Sequence, residues 1–460
     1  MNLSTFFCIL TICLGMTKLG FSQNTKEKPN FIIIYVDDLR WDALGAAGNH
    51  FSKTPLLDSL VGRGAYFPNA FVTLSICSPS RAALLTGRYG SANGVMDMSS
   101  AVKKEEKTMA HYFGENGYAT SVFGKWHLPN SPQSLGFQYE YFFNGIEAYW
   151  DVLFTKNGKK TPTKGFVDDV TADAALDYLQ DNKEKPFFMF FNTLAPHMDK
   201  YFDWAVKPVT LKKYKQNEAP IPSTWQENFE GKPPYLKQSR PHERALFYGY
   251  DKSDSIQAHV TRYAAATTDM DNALRTFMNG ISKMNLKNTY IIIMGDNGWF
   301  MGEHGLTSKV LAYEESIKVP LLILGPNIKA SVQHELALNI DILPTILPMA
   351  GIKVSDKIHG QNLLPFTKNK KTKPNRKYIF YEAPHPVHGT YPHYAIRTKK
   401  WKYIATYDVN MPTKLIYEEL YDLQKDEIEK INLANQKAHF STKQDLQKYL
   451  QNELNMTSTR

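Results

Sequence analysis

The chain has 460 residues, 43% hydrophobic and 22% charged, an ordinary globular composition that excludes a disordered, collagen-like or coiled-coil protein. Its 54 Lys and Arg against 45 Asp and Glu leave a net charge of +9, supplied mostly by lysine. Such a balance favours acidic partners, although a solvated surface accounts for most of the lysines. Beyond the N-terminus no apolar run is long enough to cross a bilayer, so no membrane span is expected, and no nucleic-acid partner either.

Residues 6–14 form a short apolar stretch, and Gly20 and Ser22 provide the small residues of a cleavage site before Gln23. Residues 1–22 therefore read as an export signal, and the protein is expected in the periplasm or outside the cell. Cys8 and Cys13 would leave with it. The remaining cysteine, Cys77, cannot form an internal disulfide, and an exported free thiol needs a chemical reason.

From there the chain alternates strands and helices. Asn30–Val36 is a continuous β-branched and aromatic run ending in Asp37-Asp38; residues 119–123 lead into Gly124-Lys125-Trp126-His127. Residues 186–191 run on to Pro196-His197, and 289–294 end in Gly295-Asp296-Asn297-Gly298. Apolar runs without polar alternation are strands buried on both faces. Helical patterns at 170–182 and 263–282 separate them, followed by a strand at 321–324, entered through Pro320, and a helix at 341–350. Pro320 fits only the start of a strand. The segments 156–164 and 207–218 read as basic loops.

The predicted fold is α/β: a large, mostly parallel sheet sandwiched by helices, with a smaller C-terminal antiparallel sheet plus helix. A Lys-, Asn- and Pro-rich stretch at 365–376 marks the boundary between a catalytic domain at 23–370 and a subdomain at 371–460. In open α/β sheets ligands bind beyond the carboxyl ends of the strands, where the polar residues just named sit.

Cys77-Ser78-Pro79-Ser80-Arg81 begins a helix pattern that Gly87 can end, with Ser78 as N-cap and Pro79 at the first helical position. Cys77 then lies over unpaired backbone N–H groups near Arg81, a site for a thiolate or a bound oxyanion. Asp37, Asp38, Asp296 and Asn297 are oxygen donors at the ends of two strands expected to be neighbours. Adjacent carboxylates repel, so a cation is the natural solution, and hard donors without sulfur or imidazole favour Ca²⁺ or Mg²⁺ over zinc. Arg81, Lys125, His127, His197 and Lys309 form a cationic set around the same place.

The Cys-x-Pro-Ser-Arg motif followed by Leu85-Thr86-Gly87-Arg88 resembles the signature of the type I sulfatases, within the alkaline-phosphatase-like superfamily. The resemblance continues through Asp37-Asp38, Gly124-Lys125-Trp126-His127, Pro196-His197, Gly295-Asp296-Asn297-Gly298 and Gly302-Glu303-His304-Gly305 with Lys309. It implies a sulfuric ester hydrolase in which Cys77 is oxidised to formylglycine, the hydrated aldehyde being the nucleophile. It also implies one calcium ion on Asp37, Asp38, Asp296, Asn297 and residue 77. In the roles carried over, Arg81 assists the nucleophile, Lys125 and Lys309 hold the sulfuryl oxygens, His197 protonates the leaving oxygen, and His127 releases sulfate. Met198-Asp199 departs from the second proline common after this histidine. His304 is either a substrate contact or a structural loop histidine.

The expected substrate is a sulfated carbohydrate, an algal polysaccharide such as ulvan ahead of a glycosaminoglycan, with Trp204, Tyr214 and Tyr235 as candidate sugar-facing aromatics, although a core position is the first reading for Trp204. A formylglycine-generating or anaerobic sulfatase-maturating enzyme is the expected partner during synthesis. The competing readings are a formylglycine-type phosphodiester or phosphonate monoester hydrolase and a catalytically silent sulfated-sugar-binding protein. A two-zinc phosphatase is disfavoured by Asn297, where such enzymes commonly carry histidine.

Overall fold

The computed structural model describes residues 28–368 and 376–457; the export signal with Cys8 and Cys13, and most of the Lys-rich boundary, lie outside them. Asn30–Val36 is β1, and its residues alternate between two apolar layers. Phe31, Ile33 and Tyr35 meet helices Cys77–Thr86, Met109–Glu115 and Ile342–Met349, while Ile32, Ile34 and Val36 meet helices Pro55–Val61, Val167–Asn182 and Ser253–Lys283. Burial on both faces explains why this run shows no polar alternation.

Seven further strands follow in the large sheet: β2 (Ala65–Phe71), β3 (Ala119–Lys125), β4 (Tyr139–Phe143), β5 (Leu153–Lys156), β6 (Lys159–Pro162), β7 (Phe187–Asn192) and β8 (Thr289–Gly295). The Lys318–Leu324 strand lies between β2 and β8, and from there the order is β8-β1-β7-β3-β4-β5-β6. Parallel pairing sets Val36 opposite Gly295 and Gly124 opposite Asn192, so Asp37, Asp296, Lys125 and Asn192 gather at one edge.

The Lys318–Leu324 strand runs antiparallel to both neighbours, which makes the sheet mixed. Pro320 is its third residue and not its entry; a register shift between Val319 and Leu321 against β2 removes the need for its missing donor. The basic segment expected as a loop at 156–164 is instead largely the β5–β6 hairpin, turned through Asn157 and Gly158 at φ 45° and 79°. Asn-Gly supplies both positive φ values of such a turn. The helix expected at 263–282 begins ten residues earlier, at Ser253, through a polar stretch.

The C-terminal sheet has four antiparallel strands in chain order, Tyr378–Ala383, His393–Thr398, Trp401–Tyr407 and Leu415–Asp422, with helix Phe440–Thr457 after them. Its apolar side joins the large unit in one cluster: Phe380, Tyr381 and Leu420 pack with Leu74, Ile76 and Val310. Polar contacts reinforce this seam. The Val310 carbonyl accepts from the Tyr381 hydroxyl and from His393 Nε2 (3.2 Å), and buried Glu314 meets Arg397 (3.2 Å) and Lys402 (2.9 Å). Among the described residues no helix is long and apolar enough to cross a membrane.

One glycine is required where the sheet meets the site. A Cβ on Gly124 would lie 1.8 Å from the Asn192 carbonyl oxygen, and its φ is +80°. Gly124→Ala is expected to cost roughly 2–3 kcal/mol of stability, measured by denaturant unfolding; an unchanged midpoint would mean that β3 and β7 part here.

Candidate active site

Helix Cys77–Thr86 begins two residues earlier than the capping pattern suggests, with Ile76 at the cap, and ends at Gly87 in the left-handed region (φ 65°) as expected. Ser78 is not its cap, because its hydroxyl donates to the His127 carbonyl at 2.6 Å and ties the helix to the end of β3. Cys77 therefore sits in the first turn, 1% exposed. Its thiol donates to Asp37 Oδ1 (3.2 Å), and Lys309 Nζ lies 2.8 Å from the sulfur. Against the activated thiolate expected from the helix start, burial, then the charge of Asp37, pushes the thiol well above its ordinary value.

Three cations neutralise three carboxylates at the strand ends. Lys125 pairs with Asp37, Lys309 with Asp38 (2.5 Å), and Arg81 with Asp296 (3.0 Å). Arg81 also donates to Asn192 Oδ1 (2.6 Å) and the Lys125 carbonyl (3.0 Å). Burial opposes ionisation of Asp37, but the permanent cations, Lys125 first and then Arg81 and Lys309, hold the carboxyl well below its ordinary range. Burial likewise disfavours charge on Lys309, yet Asp38 above all raises it.

Both histidines are neutral. Burial and then Lys125 push His127 well below its ordinary value, and its Nδ1 is buried without a hydrogen-bond partner. His197 is pushed down to about 4, chiefly by burial. Its Nδ1 donates to the Met198 carbonyl, which leaves Nε2 as the bare nitrogen, 3.5 Å from Asp38 Oδ2.

The residues fit a hard cation. Asp38 Oδ2 is buried and accepts no hydrogen bond, and the ligand atoms of Asp37, Asp38, Cys77 and His197 all lie within 4.8 Å of one another. Asp296 accepts from the Asp38 backbone N–H (3.0 Å), and Asn297 donates to Asp38 Oδ1 (2.5 Å), so both belong to the same cluster. Even beside Arg81 and Lys309, burial first and then the neighbouring Asp37 push Asp296 up to about 7.

The structure thus brings together Asp37, Asp38, Cys77, Arg81, Lys125, His127, His197, Asp296, Asn297 and Lys309. His304 stands apart: fully buried, it pairs through Nδ1 with Glu227 (2.7 Å), takes Thr224 Oγ1 on its backbone N–H (3.2 Å), and packs on Tyr313. Of the aromatics chosen from sequence, Trp204 is core, the reading put first for it, and Tyr214 is buried too, while Tyr235 is half-buried. Trp204 is 1% exposed and Tyr214 9%, and Tyr235 stacks on Tyr391.

Sequence reasoning overlooked Asn192, Thr193, Tyr263, Trp299 and Asp168. Asn192 holds Arg81, and Thr193 Oγ1 accepts from the Asp37 backbone (3.4 Å); as polar residues ending an apolar run, both carried a signal. Tyr263 donates to the Asp38 carbonyl (2.8 Å) from mid-helix. Trp299 lies edge-on to His197, with Lys309 Nζ 5.6 Å from its ring. Asp168 accepts from the backbones of Leu194 (2.8 Å) and Ala195 (3.1 Å), ordering the approach to His197. Nothing local marked these three.

Comparison with known proteins agrees with this geometry. The Sulfatase family model matches residues 29–352, and that for the C-terminal part of N-sulphoglucosamine sulphohydrolase matches residues 302–457. An N-acetylglucosamine-6-O-sulfatase of Bacteroides thetaiotaomicron is 28% identical, covering 91% of this chain and 84% of its own. An ulvan-active sulfatase of Formosa agariphila is 29% identical over 86% of this chain and 76% of its own. A solved structure in complex with its substrate, D-glucosamine-2-N,6-O-disulfate, superposes with a TM-score of 0.85 at 26% identity, covering 94% of this chain and 99% of that one. The chain belongs to the sulfatase family and is a sulfuric ester hydrolase.

Proposed function

We propose that this protein is an exported, formylglycine- and calcium-dependent sulfatase that removes sulfate from a sulfated carbohydrate, a 6-O-sulfated glucosamine unit being the first candidate. The observation that carries the reading is the packing of Lys309 against both Cys77 and Asp38, with Lys125 on Asp37 opposite. Nucleophile position, anion-holding cations and oxygen donors share one pocket. The glucosamine reading is supported by the Bacteroides relative and by the substrate-bound neighbour. An ulvan oligosaccharide is the second reading, supported by the Formosa relative.

In this reading Cys77 Sγ marks the place of the hydrate oxygens of formylglycine. Asp37, Asp38, Asp296, Asn297 and residue 77 would hold calcium, which would supply positive charge favouring loss of a proton from the hydrate of residue 77. One hydroxyl oxygen of residue 77, its proton released to solvent, bonds to sulfur while the sulfur–oxygen bond to the sugar breaks. Lys125 and Lys309 hold the sulfuryl oxygens, whose charge grows in the transition state. The sugar oxygen leaves with a proton from His197 Nε2; the anionic ester beside it raises the affinity of that nitrogen for the proton. His127 then takes the proton of the second hydroxyl, the carbon–oxygen bond to sulfate breaks, and the aldehyde returns for water to add. Residues 23–370 and 371–460 act together, since the seam holds the segment after Lys309.

The decisive experiment measures sulfate released from a panel of N-acetylglucosamine 6-sulfate, heparan-derived oligosaccharides and ulvan oligosaccharides, with matched phosphate esters in parallel. Release from at least one sulfated sugar is expected; turnover of phosphate esters alone would overturn the reading. The two histidines separate by leaving group. His197→Ala should slow sugar sulfates by about 10²–10⁴-fold and activated aryl sulfates far less. His127→Ala should slow both alike and accumulate a sulfated adduct at residue 77, visible by mass. Equal losses in His197→Ala would remove it from the acid role.

A further inference from the structure

Beside the Cys77 cluster the surface carries aromatic rings that the reaction does not use. Tyr201 and Phe202, in the turn just after His197, are 72% and 50% exposed, and Phe247, which ends the Arg240–Phe247 helix, is 84% exposed. Arg244 joins the two segments: its guanidinium lies 5.0 Å from the Phe202 ring and 5.8 Å from that of Tyr248, whose hydroxyl it meets at 3.1 Å. Lys200 Nζ lies 5.5 Å from the Tyr201 ring.

The turn that presents these rings is built and tied to His197. The Asp199 carboxylate accepts from the backbone N–H groups of Tyr201 (2.9 Å) and Asp203 (3.3 Å), while the Asp199 N–H donates to the Asp203 carbonyl (2.8 Å). Trp204 Nε1 donates to the Pro196 carbonyl (2.6 Å), and Tyr149 donates to that of His197 (2.6 Å). At the other side, His242 of the same helix donates through Nδ1 to the Gly305 carbonyl (2.9 Å), on the segment leading to Lys309. The helix therefore bridges the loop bearing His197 and the loop bearing Lys309.

Exposed rings gathered on one surface signify a contact. Cations set over their faces select its chemistry: a pyranose offers C–H faces to rings, and its sulfates or carboxylates offer charge to Arg244 and Lys200. Continuity with His197 places that contact on the side from which the sugar oxygen leaves. We propose that Tyr201, Phe202, Arg244 and Phe247 form a subsite for sugar units beyond the one that carries the scissile sulfate, so that the substrate is an anionic oligosaccharide and not a free monosaccharide. The inference rests on the sulfatase reading above and adds chain length to it.

The test uses the full-length protein and the double variant Phe202→Ala/Phe247→Ala, with Arg244→Gln as a second variant that keeps the rings. Binding of heparan-derived and ulvan-derived tetrasaccharides and of N-acetylglucosamine 6-sulfate is measured by calorimetry, and turnover of 4-nitrophenyl sulfate is followed alongside. The unaltered protein should bind one tetrasaccharide at least about tenfold more tightly than the monosaccharide, a difference of about 1.4 kcal/mol. Both variants should erase most of that preference, their loss on the tetrasaccharide exceeding any loss on the aryl ester at least tenfold. A protein that prefers neither tetrasaccharide, or variants that weaken tetrasaccharide and aryl ester equally, would overturn the subsite. Tetrasaccharide binding with no turnover of any sulfate ester would instead defeat the sulfatase reading and leave the subsite standing.

Discussion

Cys77→Ala is expected to lower kcat/KM by about 10⁴-fold or more, since a lost nucleophile leaves only binding and charge stabilisation behind. The fold should survive: the change removes one sulfur atom and its contacts to Asp37 and Lys309, a loss of about 1 kcal/mol. Mass analysis of active protein should find an aldehyde or its hydrate at residue 77, and protein that retains the thiol should be inactive, because that thiol is held protonated by burial and by Asp37. Sulfate release by the Ala variant at the unaltered rate would defeat the mechanism outright.

Asp38→Asn and Asp296→Asn should reduce calcium affinity and turnover together, each by at least about 100-fold. Asparagine keeps the volume and removes the charge, so packing is not the variable. Asp38 is the sharper test, because one of its oxygens is saturated by Lys309 and Asn297 while the other is buried with no partner. A second readout avoids activity altogether. Calcium at about 100 times its dissociation constant should stabilise the unaltered protein by about 2.7 kcal/mol, seen as a rise in Tm, and should do little for either variant. Full turnover after exhaustive chelation, with no metal found by elemental analysis, would rule the ion out.

Much of this site was legible because it lies at the ends of strands buried on both faces. Asn30–Val36 and Thr289–Gly295 stand out as unbroken apolar runs, and their pairing sets Asp37 beside Asp296 with no further information needed. What escaped depended on distant partners. Ser78 has the chemistry of a cap but donates to the His127 carbonyl, and the state of Cys77 is set by burial and by a carboxylate 40 residues away. The Leu415–Asp422 strand carries two acidic residues in mid-run, Glu418 and Glu419, and the buried Glu419 accepts from Tyr313 and Tyr421, both at 2.6 Å, partners that lie outside its local sequence pattern. The exposed aromatics could not be separated from the core ones by type, since Trp204 sits two residues from Phe202 and faces inward.

The seam between the two sheets sets an order of events in synthesis. Lys309, which closes over Cys77, is followed directly by Val310, whose carbonyl is held by Tyr381 and His393. The last parts of the pocket's support therefore leave the ribosome about 300 residues after Cys77, an interval of roughly 15–60 s at about 5–20 residues per second. In the folded protein residue 77 is 1% exposed. An enzyme that must grip this side chain has to act on the growing or still unfolded chain, and a fast-folding C-terminal sheet would shorten its opportunity.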